Sequence, residues 1–177
     1  IKHGLILDAG LFEDFDRQAE ALMALEPETS TLAIRRSAAI KAAVVSEDER
    51  ETLGRRLLLN YGHTIGHALE AATGYGKYLH GEAVSVGMMG AAMISQGMDM
   101  IPTEIVQRHR DVLERFGLPT SAPGVESNLV FEAMSLDKKT ESGSIRWVAL
   151  EEVGRAVVRR DVPTQLVEEV VAALLSR

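Results

Sequence analysis

Cysteine is absent from the 177 residues, which removes disulfide frameworks, thiolate zinc sites and cysteine nucleophiles together. A metal ion bound here must be held by His, Asp, Glu or water. No apolar run approaches the ~20 residues of a membrane span, and no charged n-region followed by an apolar h-region opens the chain, so the expected setting is cytoplasmic. The 19 basic residues are scattered and the net charge is -7, which argues against a nucleic-acid surface and for a small-molecule partner. No Gly-x-Gly pattern follows a predicted strand, so no dinucleotide site is expected within these residues. There is no internal repeat or low-complexity segment. The opening Ile1-Lys2-His3-Gly4 lacks an initiator Met and reads as a piece of a longer chain.

What is present suits one compact domain over residues 1–177, since 46% of the residues are hydrophobic. Ser30 or Thr31 can cap a helix running to about Val45, with Ile34, Ala38, Lys41 and Val45 along one stripe that a lysine interrupts. After the charged stretch 47–51, Leu57-Leu58-Leu59 leads into Asn60 to Glu70, read as one buried helix carrying polar groups. Gly74-Tyr75-Gly76 breaks it. His80-Gly81-Glu82 then opens a helix to about Gln96 that is apolar on most sides and belongs at the domain centre. Pro102 to Phe116 keeps helical period and stops at Gly117 and Pro119, and a short helix from about Asn128 to Leu136 ends at Asp137-Lys138-Lys139. Ile145–Leu150 and Ala156–Arg160, with a turn at Gly154, predict a β-hairpin, and Thr164 caps a last helix through Leu175. The expected fold is mainly α, a multi-helical domain with one small β-hairpin.

His63 and His67 are four residues apart, so their rings project from one helix face, and His80 follows just past the next break. Two such histidines with a third His or a carboxylate can hold Zn²⁺ or a similar ion. An i,i+4 pair taken alone is more often a pair of hydrogen-bonded core or surface histidines than a metal site. The sequence His-Thr-Ile-Gly-His lacks the glutamate of the metalloprotease pattern, so a peptidase is a poor reading. Arg56, Asn60, His63, His67 and Glu70 recur at three- and four-residue intervals among apolar residues. Unpaired buried polar groups cost on the order of 1–3 kcal/mol each, so such a ridge points to a cavity, a metal or a ligand. Gly62 and Gly66 between them suit close approach of a ligand or another helix.

The run Leu58-Leu59-Asn60-Tyr61-Gly62-His63-Thr64-Ile65-Gly66-His67-Ala68-Leu69-Glu70, followed by Leu79-His80-Gly81-Glu82-Ala83-Val84, resembles the signature of the 3-dehydroquinate synthases. Ile1-Lys2-His3-Gly4, Lys41-Ala42-Ala43-Val44-Val45 with Asp48-Glu49-Arg50-Glu51, and Asp137-Lys138-Lys139 resemble further blocks of that family in the same order. The stretch from Glu51 to Arg56 is one residue longer than the family's usual form. This resemblance implies the C-terminal half of a two-domain enzyme that converts 3-deoxy-D-arabino-heptulosonate 7-phosphate to 3-dehydroquinate, with NAD bound mainly by an N-terminal α/β domain lying outside this chain. It implies Zn²⁺ or Co²⁺ held by His63, His80 and a Glu just upstream of Ile1. His67, Glu51 and Lys2 would be catalytic, with His67 beside the metal. Lys2, Lys41, Arg56, Asn60, His67 and Lys138 or Lys139 would contact substrate, Glu70 and Glu82 could orient the ligand rings, and the enzyme would be a homodimer. His3 and His109 have no counterpart in this map.

Three other readings compete. A sister cyclase making a valiolone or inosose ring would share the metal ligands and differ where substrate is contacted. A metal-dependent alcohol or glycerol dehydrogenase fits the Gly-His-Thr-Ile-Gly-His block with Asp-Lys-Lys less well. A non-catalytic helical metal-binding or dimerisation module would be indifferent to sugar phosphates.

Overall fold

The computed structural model describes residues 1–49, 54–140 and 145–176, with the side chains of 137–140 outside the description. The chain begins with three short helices, α1 (Lys2–Leu7), α2 (Ala9–Arg17) and α3 (Ala19–Met23), and the long α4 (Pro27–Glu47). A 3-10 helix (Arg55–Asn60) leads to α5 (His63–Ala72), α6 (His80–Gly97), α7 (Thr103–Arg115) and α8 (Ser127–Thr140). The hairpin β1 (Trp147–Glu152) and β2 (Arg155–Arg159) precedes α9 (Thr164–Leu175). The expected mainly helical fold with one antiparallel hairpin is the one observed. Among the described residues no helix is long and apolar enough to cross a membrane.

Helix α6 is the central element, as its all-round apolar sequence predicts: Ala83, Val86, Met89, Ala92 and Ile94 are each at most 1% exposed. It packs on α5, α7, α9 and β1. The one hydroxyl it turns toward the hairpin is spent twice, because Ser95 Oγ donates to the Ala91 carbonyl at 2.7 Å and accepts the Leu150 N–H at 2.9 Å. A buried hydroxyl satisfied on both sides holds β1 to the core without a desolvation penalty.

The α5–α6 crossing is unusually close. A Cβ on Gly87 would stand 1.9 Å from the Gly62 carbonyl oxygen and 2.8 Å from the Gly66 nitrogen. Gly62 itself has φ +80°, and a Cβ there would meet the Met88 backbone nitrogen at 2.7 Å. The first of these positions needs glycine for space, and the second for both space and dihedral.

Three expectations are corrected. The stretch from Leu57 to Glu70 is not one helix: Asn60 ends a 3-10 turn, Tyr61 is extended with φ -53° and ψ 122°, and Gly62 is left-handed before α5 starts at His63. The left-handed residue reverses the helical progression, so Arg56 and Asn60 do not share a helix face with His63 and His67. Helix α4 begins at Pro27, three residues before Ser30, with proline in the first turn where its missing N–H costs nothing. Its supposed inner stripe faces outward, Ile34 being 68% exposed, while the line through Arg36, Ile40 and Val44 turns inward. The helices α1 to α3 were not anticipated. They are linked by Asp8, which ends α1 through its N–H to the Gly4 carbonyl and caps α2 by accepting the Leu11 N–H at 3.0 Å.

His109 on α7 is fully buried, its ring stacked on Tyr61 with centroids 5.9 Å apart, and neither ring nitrogen has a hydrogen-bond partner. Burial, assisted by Arg110, lowers its pKa to about 3. A neutral imidazole in the fold that regains an ordinary pKa when unfolded stabilises above the unfolded value of about 6.5 and loses that contribution as pH falls toward 3. At about 1.4 kcal/mol per unit, acidification from pH 7 to pH 5 is expected to remove roughly 2 kcal/mol through this group. His109→Phe, which keeps the stacking, should flatten the fall of Tm with pH over that interval; an unchanged slope would assign the acid sensitivity elsewhere. Gly87→Ala should destabilise by about 3 kcal/mol or more, read by denaturant unfolding, and a near-neutral result would mean that the α5–α6 crossing can open.

Candidate metal centre

Gly62 is the left-handed residue immediately before α5. By breaking the chain there it lets His63 stand at the very start of α5, with His67 one turn further on. His80 opens α6, which the close glycine crossing brings back alongside. The three imidazoles converge: ring centroids are 5.2 Å (His63–His67), 5.5 Å (His63–His80) and 5.8 Å (His67–His80) apart. One ring nitrogen from each lies within 4.8 Å of the other two. No other such group of metal-ligating side chains occurs among the described residues.

The second nitrogens show which atoms face inward. His63 Nδ1 lies 3.2 Å from the Tyr61 carbonyl, which can only accept, so Nδ1 carries the proton and Nε2 keeps its lone pair. His80 Nδ1 lies 3.2 and 3.3 Å from the two Glu70 carboxylate oxygens, which likewise only accept, so Nδ1 carries a proton there too. Glu70 is only 13% exposed in its side chain, so this contact is partly screened from water. A backbone carbonyl or a carboxylate behind a ligating imidazole is the usual way a site fixes tautomer and ring orientation. The donor set therefore fits a borderline ion such as Zn²⁺ or Co²⁺, with nitrogen ligands and no thiolate. The Glu70 expectation is met. Glu82 is corrected: its carboxylate accepts the Leu79 N–H at 2.8 Å and caps α6.

One lysine, Lys2, acts on the cluster. Lys2 Nζ donates to the Leu59 carbonyl at 2.6 Å, and burial, then Lys41, lowers its pKa to about 8. Burial, then Lys2, lowers His63 to about 4, which keeps its lone pair free at neutral pH. His3, next to Lys2, is lowered to about 4 by burial first and Lys2 second. Lys41 stands exposed on α4.

The remaining expected residues divide between two hollows. Arg56 and Asn60 line a cavity of about 180 Å³ together with Asp48, Leu57 and Leu59. Arg146, at the entry to β1, lines the same cavity and was not picked out by sequence reasoning. Asp48, 2% exposed, was also missed; its Oδ2 accepts the backbone N–H groups of Arg55 at 2.8 Å and Arg56 at 3.3 Å, which fixes that turn. His67 and Glu70 line a cleft of about 560 Å³ between α5 and α8 with Tyr75, Met134 and Leu136. Lys138 and Lys139 lie on the last turn of α8, their side chains outside the described residues, and Glu51 lies outside the described residues altogether.

Residues 1–140 match the family model described as 3-dehydroquinate synthase C-terminal. The chain belongs to that family. Among curated relatives, the 3-dehydroquinate synthase of Nitrosomonas europaea is 44% identical over 176 residues, covering 99% of this chain and 47% of the relative. That of Nitrosospira multiformis is 47% identical over 170 residues, 96% of this chain and 46% of the relative. The chain thus spans about half the length of the curated relatives it matches. A 2-deoxy-scyllo-inosose synthase solved with carbaglucose-6-phosphate, NAD⁺ and Co²⁺ superposes with TM-score 0.78 at 28% identity, over 98% of this chain and 50% of its own. A 2-epi-5-epi-valiolone synthase from Streptomyces hygroscopicus, solved with NAD⁺ and Zn²⁺, shares the fold with TM-score 0.85 at 24% identity, over 98% of this chain and 48% of its own.

Glu70→Ala should weaken metal binding by about 10- to 100-fold, measured by chelator competition. Glu82→Ala removes only a helix cap and should leave that affinity unchanged. Equal losses in both variants would make the effect one of general helix stability.

Proposed function

We propose that this chain is the metal- and substrate-binding half of a 3-dehydroquinate synthase, which converts 3-deoxy-D-arabino-heptulosonate 7-phosphate to 3-dehydroquinate and phosphate. The observation that carries the reading is the convergence of His63, His67 and His80, two of them tied at Nδ1, in a chain of this family. A preceding α/β domain supplies the NAD site and a glutamate ligand, the active site lies in the cleft between the two halves, and the enzyme works as a cytoplasmic homodimer. Relatives solved with NAD⁺ and Zn²⁺ or Co²⁺ support the cofactor assignment.

In this reading His63 and His80 present Nε2 to the metal, and their fixed tautomers remove the reorganisation that loose rings would need. When bound, the ion supplies Lewis acidity toward substrate oxygens. His67, on the same helix face as His63 but open to the 560 Å³ cleft, is free to move a proton at the reacting carbon or the departing phosphate, with Glu51 as its relay partner. Lys2, whose pKa of about 8 lies near physiological pH, can donate a proton or a hydrogen bond without a large energetic penalty in either state. Lys41, Arg56, Asn60 and Lys138 or Lys139 hold the carboxylate, hydroxyls and phosphate; cationic groups around a dianionic sugar phosphate gain charge-assisted hydrogen bonds. The steps served are oxidation of a ring hydroxyl, elimination of phosphate, reduction of the ketone and intramolecular aldol closure.

The test is an assay of the full-length protein with the heptulosonate phosphate, NAD⁺ and Zn²⁺, following both phosphate and dehydroquinate. Wild type should yield the two products in equal amounts, and His80→Ala or chelation should reduce the rate by at least about 100-fold, the loss expected when a Lewis acid is removed. Turnover only with another sugar phosphate would make the protein a sister cyclase. No turnover with any sugar phosphate would leave a binding module.

A further inference from the structure

We propose that Arg36 is a positioning residue for the substrate-contacting lysines: its guanidinium fixes α4 to the joint between α1 and α2, and so sets where Lys41 stands relative to Lys2. The inference rests on the substrate-binding role given above to those two lysines.

Arg36 Nη2 donates to both carboxylate oxygens of Asp8, at 2.9 and 2.8 Å, and Nη1 donates to Asp14 Oδ2. Asp8 is the hinge residue that closes α1 and caps α2, so the arginine grips the joint from which α1, with Lys2 at its start, extends. Asp14 lies on α2. Lys41 follows Arg36 by five residues on α4, roughly 7–8 Å along the helix axis at 1.5 Å per residue. Three residues beyond it stands Val44, the single buried side chain of α4. Lys41 is therefore suspended between two anchors, one ionic and one apolar.

Something must hold it there, because α1 and α4 pack against one another and the Lys41 charge adds to burial in lowering the pKa of Lys2. Two ammonium groups brought together repel, and a helix with one buried side chain has little packing with which to resist. The fork across Asp8 and Asp14 provides geometry rather than bulk stability. All three side chains keep about a quarter to a third of their surface in water, where ion pairs contribute little to folding. A planar guanidinium bridging two carboxylates defines direction in a way that a lysine ammonium at the same place would not.

The test uses the full-length enzyme and a double-mutant cycle of Arg36→Ala with Lys41→Ala, with Arg36→Lys as the conservative variant. Arg36→Ala alone should lower kcat/KM about 10-fold, chiefly through KM, with Tm within a few degrees of wild type. In the Lys41→Ala background the same change should cost less than about 2-fold. Arg36→Lys should fall between. Amide exchange over residues 37–43 should quicken in Arg36→Ala while α7 stays as protected as before. An equal fractional loss in both backgrounds, no loss at all, or unchanged exchange in α4 would each overturn the inference. A wild-type enzyme that turns over no sugar phosphate sinks the proposed function instead, and the exchange measurement still decides whether Arg36 fixes α4.

Discussion

The site depends on backbone touching backbone at the α5–α6 crossing. Gly87 approaches the Gly62 carbonyl so closely that no side chain fits between them, and Gly66 continues the same seam. Were the two helices separated by the ordinary 8–10 Å of a contact filled by side chains, His80 would be carried away from His63 and His67. A metal site built from first-turn residues of two helices needs those helices nearly in contact, because an imidazole reaches only a few ångströms from its own backbone. Glycine costs helix propensity, about 1 kcal/mol per residue relative to Ala, and here two helical glycines, Gly66 and Gly87, face each other where that cost is set against ring convergence.

The same break that brings the rings together also supplies the group that orients one of them. Because Tyr61 is extended rather than helical, its carbonyl has no partner four residues on and is available to His63 Nδ1. Tyr61 is in turn immobilised by full burial, by its hydroxyl donating to the Met88 carbonyl at 3.3 Å and by the His109 ring stacked against it. A core packing contact is thus continuous with a ligand's tautomer. Displacing the Tyr61 ring would reach the imidazole through two covalent residues and one hydrogen bond.

Much of this was legible in the residues. Helices α7 and α9 carry clean apolar period with stop signals, the hairpin turns at a glycine, and the signature around His63 and His80 fixes both the family and the histidines that converge. What escaped has physical causes. Gly62 reads as a helical glycine until its neighbour Gly87, twenty-five residues on, shows that the backbone must turn left-handed. Helices α1 to α3 are too short for a period to emerge, and their joints rest on one aspartate. Glu70 and Glu82 are equally plausible partners for His80 on paper; only the α5–α6 geometry sends one to the ring and the other to a cap. Arg146 reaches the Asn60 cavity because the hairpin docks on the 3-10 turn, a contact across 86 residues of sequence that no local pattern encodes.

Charge balance gives a last constraint on how the centre works. Burial and the Lys2 ammonium keep His63 unprotonated, which leaves a lone pair for a metal. The same ammonium repels a divalent cation as surely as it repels a proton, and imidazole ligands bring no compensating charge. Glu70, hydrogen-bonded to His80 from behind, supplies one negative charge at the distance of a ring width. A glutamate ligand from the preceding half, as proposed, would bring a second into direct contact. Without it a dication would sit among neutral donors beside an ammonium; with it, the site approaches neutrality before an anionic substrate arrives. In the proposed function the lysines would then serve the substrate rather than compete with the ion. This division of labour requires Lys2 and Lys41 to hold their places, and it is why a surface arginine on α4 can matter to chemistry that it does not touch.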